Sequence, residues 1–357
     1  MHKLALGLMS GTSLDGIDAA LLQTDGETVR AFGPALTQPY DESLRGALRS
    51  ILGGNGPVAE VERRLTEAHA QTVEKLLKRA GISPDVVDVI GFHGHTILHR
   101  PEQRRTWQIG DGAALAKLTG ITVVNDFRSA DVAAGGQGAP LVPVFHAALA
   151  QGQETPLAVL NIGGVGNVTW IGADGALQAF DTGPGNALID DWAFRHCSRP
   201  LDLDGELAAS GRVDLDTLKQ FSHHPYFAAL PPKSLDRDDF RAYAEALVGH
   251  MGAADGAATL TAFTARAVAL ARAHFPQPAK RWLVCGGGRH NPVLMASLEA
   301  ELAVPVINVD ELGWNGDALE AQAFAFLAVR TLRGLPLTFP GTTGVAHPLC
   351  GGRVTLC

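Results

Sequence analysis

The sequence predicts an α/β chain built as two similar halves, and three observations carry this expectation. Apolar runs of strand length alternate with stretches of helical spacing along the 357 residues. A strand, small-residue turn, strand, turn, strand order opens the chain and starts over near Leu157. The 41 glycines cluster at turns instead of forming a linker. Self-similarity at so long an interval points to duplicated domains and not to a solenoid. Two halves, each with a phosphate-sized turn, would face each other across a cleft with one nucleotide between them.

Each element has its own signal. Residues 4–9 are an apolar strand, followed by a turn and a returning strand over 17–23. Thr24, Asp25 and Gly26 turn the chain into a third strand over 29–33. A helix starting near Asp41 carries Leu44, Leu48 and Ile51. A longer one shows Val61, Leu65, Ala68, Val73 and Leu76 at helical spacing and closes at Gly81. Residues 86–92 and 121–125 read as buried strands, with a helix from Asp111 to Gly120 between them. In the second half, 157–171 and 176–181 repeat the opening pattern, and 186–196 is a helix. The strand 282–285 runs into three glycines, after which Asn291 caps a helix with Pro292 in its first position.

Composition narrows the function classes. Hydrophobic content of 46% and charged content of 18% describe a folded globular chain with room for two domains. A net charge of −8 and the lack of a Lys/Arg run argue against a nucleic-acid or anionic-membrane surface. Cys197, Cys285, Cys350 and Cys357 are widely spaced, so a disulfide framework or zinc knuckle is not expected. The first apolar run is too short for a signal peptide, and no run approaches the roughly 20 residues that span a bilayer. A cytoplasmic protein is expected.

The turn of Ser10, Gly11, Thr12 and Ser13 gathers backbone N–H groups and hydroxyls at one point, which suits phosphate oxygens. Asp15, just beyond it, is placed to hold a metal ion beside that phosphate. An ordinary β-hairpin is the plain alternative. Gly286, Gly287 and Gly288 precede a helix N-terminus and would let a flat or anionic ligand rest on the backbone. The alternative there is a tight strand-to-helix turn. Asp181 ends a strand before a stiff Gly-Pro-Gly turn and is a general-base candidate, or else a cap for the helix that follows.

His93, His95 and His99 suggest a metal site, with His93 and His95 sharing a strand face. No carboxylate accompanies them, so a binding loop around Thr96 is the stronger expectation. Arg128 suits a carboxylate or phosphate, or forms a structural salt bridge. Glu320 falls on or next to the buried side of the last long helix, where a ligand or an ion pair would explain it. Asp190 and Asp191 answer a helix dipole, and Asp190 could reach a metal.

Motifs along nearly the whole chain resemble the anhydro-N-acetylmuramic acid kinase family, part of the actin-like, sugar kinase and heat-shock chaperone superfamily. They are Met9-Ser-Gly-Thr-Ser-Leu-Asp-Gly-Ile-Asp18, Asp126-Phe-Arg128, Gly135-Gly-Gln-Gly-Ala-Pro-Leu-Val-Pro143 and Asn161-Ile-Gly-Gly164, then Phe180-Asp-Thr-Gly-Pro-Gly-Asn186, Cys285-Gly-Gly-Gly288, Gly316-Asp-Ala-Leu-Glu320 and Thr343-Gly344. The resemblance implies two facing actin-like, ribonuclease H-like domains with a central nucleotide cleft. It places domain I at 1–134 plus 321–357 and domain II at 135–320.

The implied reaction belongs to peptidoglycan recycling: hydrolysis of the 1,6-anhydro bond of 1,6-anhydro-N-acetylmuramic acid with transfer of the ATP γ-phosphoryl to O6. By motif match, Gly11, Thr12, Ser13, Leu14, Asp15, Gly16, Ile17 and Asp18 embrace the ATP phosphates, with Asp15 towards Mg²⁺. Asn161, Gly163, Gly164, Asn167, Gly286, Gly287 and Gly288 hold phosphate and adenosine. Asp181 is the base; Thr96, Arg128 and Glu320 contact the sugar. A homodimer is also implied. Two departures from the family pattern stand out: His95 where Gln is common, and Leu235-Asp236 where Thr-Gly is common. A same-fold kinase for another hexosamine or anhydrosugar, and a non-enzymatic actin-like ATP switch, are the rivals.

Overall fold

In chain order the strands are β1 (Lys3–Ser10), β2 (Gly16–Thr24), β3 (Val29–Pro39), β4 (Val89–Arg100), β5 (Arg105–Ile109), β6 (Val123–Asn125), β7 (Leu157–Ile162), β8 (Val165–Ile171), β9 (Leu177–Pro184), β10 (Trp282–Cys285), β11 (Val306–Asn308) and β12 (Arg353–Thr355). This is a computed structural model, and it describes residues 1–11 and 14–357. The chain divides into a first unit, Met1–Gln151 with Ala318–Cys357, and a second unit, Gly152–Asp317.

The first unit holds a sheet of order β12-β6-β4-β1-β2-β3, with β5 paired to β4. The second holds β11-β10-β7-β8-β9. In each unit three consecutive strands form an antiparallel meander, β1-β2-β3 or β7-β8-β9. Two later strands then add in parallel beside the first of the three, β4 and β6 or β10 and β11. The duplication visible in the turn pattern is therefore a duplication of topology.

Close approach of helix to sheet explains two glycines of the first unit. The helix Leu319–Leu332 lies so near β1 and β4 that a Cβ on Gly7 would meet the Ala321 carbonyl oxygen at 1.7 Å, and one on Gly91 the Phe324 oxygen at 2.0 Å. On the other face, the helix Val58–Ala80 buries Val61, Leu65, Val73 and Leu76 with Leu6, Leu8 and Phe92. Each such side chain contributes roughly 2 kcal/mol of hydrophobic stabilisation. The core of the second unit surrounds Leu160, Trp170, Phe180 and Trp282.

Several boundaries move from their expected places. β3 runs to Pro39 instead of stopping at 33, and β4 starts at Val89 and continues past Phe92 to Arg100, forming a hairpin with β5. The stretch around Thr96 reads as a binding loop in sequence, yet it lies within β4, where Thr96 pairs with Gln108 of β5. The unit boundaries fall at 151/152 and 317/318, not at 134/135 and 320/321. Residues 135–151 stay with the first unit because the Gln137 N–H donates to the Thr343 carbonyl and the Gly138 N–H to Asp131 Oδ2. Phe145 packs on Phe326 as well. No helix among the described residues is long and apolar enough to cross a membrane.

Candidate active site

Register places the acidic candidate of the second unit among amides. Cys285 pairs with Asn161, Asn161 with Asn167, and Asn167 with Asp181, so four residues from β10, β7, β8 and β9 form one row. Residues in such a row project from the same face of a sheet. The row lies at the carboxyl ends of parallel β7 and β10, where open α/β sheets bind ligands.

Asp181 does not cap the helix Ala187–Cys197. Its Oδ2 accepts the Leu235 N–H at 2.8 Å, its own N–H donates to the Lys233 carbonyl at 3.1 Å, and its carbonyl accepts the Tyr226 hydroxyl at 2.6 Å. Burial pushes its carboxyl up to about 7; the Leu235 N–H opposes that rise and the negative charge of Asp236 adds to it. A carboxyl titrating there suits proton abstraction near neutrality. Lys233 donates to the Tyr226 carbonyl at 3.1 Å and lies over the Tyr226 ring, and burial brings its ammonium down to about 8. Tyr226, Lys233 and Leu235 escaped the sequence reading of this site. The departure at residues 232–237 was the signal for Lys233 and Leu235, and Tyr226 had none.

Two glycine turns leave β7 and β10. The Gly163 and Gly164 carbonyls accept N–H groups of Asn186 and Gly185 at 2.8 and 2.9 Å. Cβ atoms added at Gly163, Gly164 and Gly287 would meet no atom closer than 3.7 Å, so these positions border open space that side chains would fill. Such a cradle fits a nucleotide lying on the backbone. Gly286 is different: its φ is +74° and a Cβ would meet Asn161 Oδ1 at 2.2 Å. Gly288 is buried against Ile162. Arg289, also missed in sequence, braces the turn by bonding Asp310, Asp317 and the Gly286 carbonyl.

Burial pushes Asp190 up to about 6, which is more than a helix-dipole role asks of it, whereas Asp191 pairs with Arg237 and Arg241.

In the first unit, Thr12 and Ser13 lie outside the described residues. Around them, Leu14 has φ +61° and donates its N–H to Gly11 O, and its own carbonyl accepts from Arg45. The Asp15 carbonyl accepts the Tyr40 N–H, and its side chain is exposed. Gly16 opens β2, Ile17 is buried in the core, and Asp18 accepts from the Thr37 hydroxyl. One exposed carboxylate is a sufficient protein contribution for Mg²⁺, which takes its other ligands from phosphates and water.

His93 and His95 do not share a face. Gly94, at φ +72°, inserts a bulge where the β1–β4 register slips, and the two rings turn opposite ways. His93 stacks on Phe324 and accepts from Arg128; His95 bonds Ser10, which bonds Tyr40. His99 bonds Thr106. Among the described residues no group of three or more His, Cys, Asp or Glu could hold a metal ion. Thr96 accepts from Gln108.

Glu320 is exposed at the edge of the buried side of its helix, between buried Leu319 and Ala321. Desolvation by surrounding protein, with the negative charge of Asp18, raises its carboxyl, and Arg128 opposes this. Among the described residues Arg128 makes no salt bridge, although the charges of Glu320 and Asp131 act on it. Burial lowers its guanidinium to about 10, leaving it cationic at neutral pH.

The family described as anhydro-N-acetylmuramic acid kinase matches residues 3–356. The chain belongs to this family.

An anhydro-N-acetylmuramic acid kinase of Paramagnetospirillum magneticum is 66% identical over 98% of this chain and 99% of its own. One of Rhodospirillum rubrum is 58% identical over 98% and 93%. Among solved structures, component A of the (R)-2-hydroxyglutaryl-CoA dehydratase of Acidaminococcus fermentans superposes with a TM-score of 0.50 at 14% identity, covering 92% of this chain and 99% of its own. That likeness shows the fold alone.

Proposed function

We propose that the protein hydrolyses the 1,6-anhydro bond of 1,6-anhydro-N-acetylmuramic acid and transfers the ATP γ-phosphoryl to O6, releasing N-acetylmuramic acid 6-phosphate and ADP. The observation that carries this reading beyond family membership is the half-buried Asp181 carboxyl, which stands at the end of a row of amides and is raised to about 7.

In this reading Asp181 takes a proton from water as the water oxygen bonds to the anomeric carbon. The bond from that carbon to O6 breaks, and O6 leaves with its electron pair. O6 then bonds to the γ-phosphorus as the bond to the β-phosphate oxygen breaks, giving ADP. The proton on Asp181 returns to solvent. One base thus serves both halves of the reaction. Arg128, Thr96 and Glu320 bind and orient the sugar.

Asn161, Asn167 and the turns at Gly163, Gly164, Gly286 and Gly287 receive the nucleotide. Residues 11–18, Asp15 and Asp18 among them, receive its phosphates. Asp15 would hold Mg²⁺, which when bound would supply charge neutralisation for the phosphoryl group. The protein works in the cytoplasm as a homodimer.

The test is ADP release from ATP and Mg²⁺, with and without the anhydrosugar, for wild type and Asp181→Asn. Sugar-dependent release with a ring-opened 6-phosphate product, lost in the variant, is the expected result. Release indifferent to sugar would remove the kinase reading. Equal turnover of an anhydrosugar without the lactyl group would reassign the substrate.

A further inference from the structure

His93 is buried in β4 with its ring against Phe324, at 4.6 Å between centroids. Its Nε2 receives both Nε and Nη2 of Arg128, at 3.1 and 3.0 Å. A guanidinium only donates, so Nε2 is the acceptor and the ring proton sits on Nδ1, which donates to the Gly94 carbonyl at 2.9 Å. Nη1 of Arg128 donates to the Gly138 carbonyl at 2.7 Å. Gly138 is itself fixed through its N–H to Asp131, whose other oxygen accepts the Thr343 hydroxyl. Three of the five guanidinium hydrogens are committed, which leaves one on each of Nη1 and Nη2.

Every acceptor that holds Arg128 is neutral. A carboxylate in place of His93 would hold the guanidinium equally well but would cancel its charge and compete with any anionic ligand. A neutral imidazole and a backbone carbonyl orient the group without bonding a counter-charge to it, and the carboxylates of Glu320 and Asp131 act on it only through space. Two free hydrogens on adjacent nitrogens match the two oxygens of a carboxylate. Burial beside a permanent cation also keeps His93 unprotonated, since a proton on Nε2 would face Arg128 directly.

We infer that His93 is a positioning residue for carboxylate recognition: its Nε2 lone pair aims Arg128 so that the remaining Nη1 and Nη2 hydrogens bind the carboxylate of the sugar. This rests on the kinase reading above.

The experiment compares wild type with His93→Leu, which removes the acceptor, and His93→Gln, whose amide oxygen restores one. The expected result is a rise of about tenfold or more in KM for the anhydrosugar in His93→Leu, with KM for ATP within about twofold and kcat little changed. His93→Gln recovers most of the loss. An unchanged sugar KM in His93→Leu, an equal rise in both KM values, or no recovery in His93→Gln would each overturn the inference.

The wild-type imidazole, read by two-bond ¹H–¹⁵N correlation, supplies a check that needs no variant. An Nδ1–H tautomer is expected at pH 7, and an Nε2–H tautomer would overturn the pairing. Absence of sugar-dependent ADP release in wild type would instead fell the kinase reading while the tautomer still decides the pairing.

Discussion

The backbone N–H of Leu235 donates to Oδ2 of Asp181 at 2.8 Å across 54 residues of chain, and it is the hydrogen bond received by that carboxylate. The bond favours the ionised form, yet burial outweighs it and the carboxyl still rises to about 7. The rise is tied to the 232–237 segment, where Asp236 brings a second negative charge near the base.

A base titrating near 7 gives the pH profile a defined shape. Below that value kcat/KM for the anhydrosugar should fall about tenfold per pH unit, and above it reach a plateau. Asp181→Asn should lose roughly 10² to 10⁴ in kcat and lose the limb with it. A wild-type profile flat from pH 5 to 8 would contradict the role of Asp181.

The same shift predicts a stability effect. The folded-state value lies above the ordinary 3.8, so the folded protein binds this proton more tightly than the unfolded chain does. That contribution is fully present below about 4 and is lost as pH rises through about 7. Asp181→Asn should therefore melt close to wild type at pH 4.5 and several degrees higher at pH 8. Thermal denaturation at the two pH values checks this, and the opposite ordering would contradict it.

Asp236→Asn removes a charge that raises Asp181. The acidic limb of kcat/KM should move to lower pH by less than about one unit, with the plateau nearly unchanged. A shift to higher pH, measured under identical salt, would mean that Asp236 acts through loop geometry instead.

The glycine turn after β10 yields a contrast between neighbours. Gly286→Ala forces a Cβ into Asn161 Oδ1 at 2.2 Å with φ at +74°, and should cost about 1–3 kcal/mol of stability. At Gly287 a Cβ has 3.7 Å to the nearest atom, so Gly287→Ala should fold normally but narrow the cradle. Thermal melting should separate the two, and ATP titration should show weaker binding in Gly287→Ala despite an unchanged Tm.

Much of the site was readable in advance because its signals are local. The turns of glycine around Asn161 and Gly286, and the Asn291 cap with Pro292 at the first helical position, are written in adjacent residues. Other features needed long-range pairing. His93 and His95 were expected on one face by period-two alternation, and Gly94 at φ +72° separates them. Glu320 was expected on or next to the buried side of its helix, and only packing decided between the two: Leu319 and Ala321 are buried and Glu320 is exposed beside them.

Sequence by itself determined the strands that open each half, several turns and caps, the duplicated order of elements, and the motifs that mark the family, because these depend on residues within a few positions of one another. Tertiary structure alone decided that Cys285, Asn161, Asn167 and Asp181 stand in one row, that Leu235 and Lys233 bond Asp181, and that His93 accepts from Arg128. Burial and neighbouring charge set what a carboxyl or an imidazole does, and both are properties of the folded surroundings that no local pattern encodes.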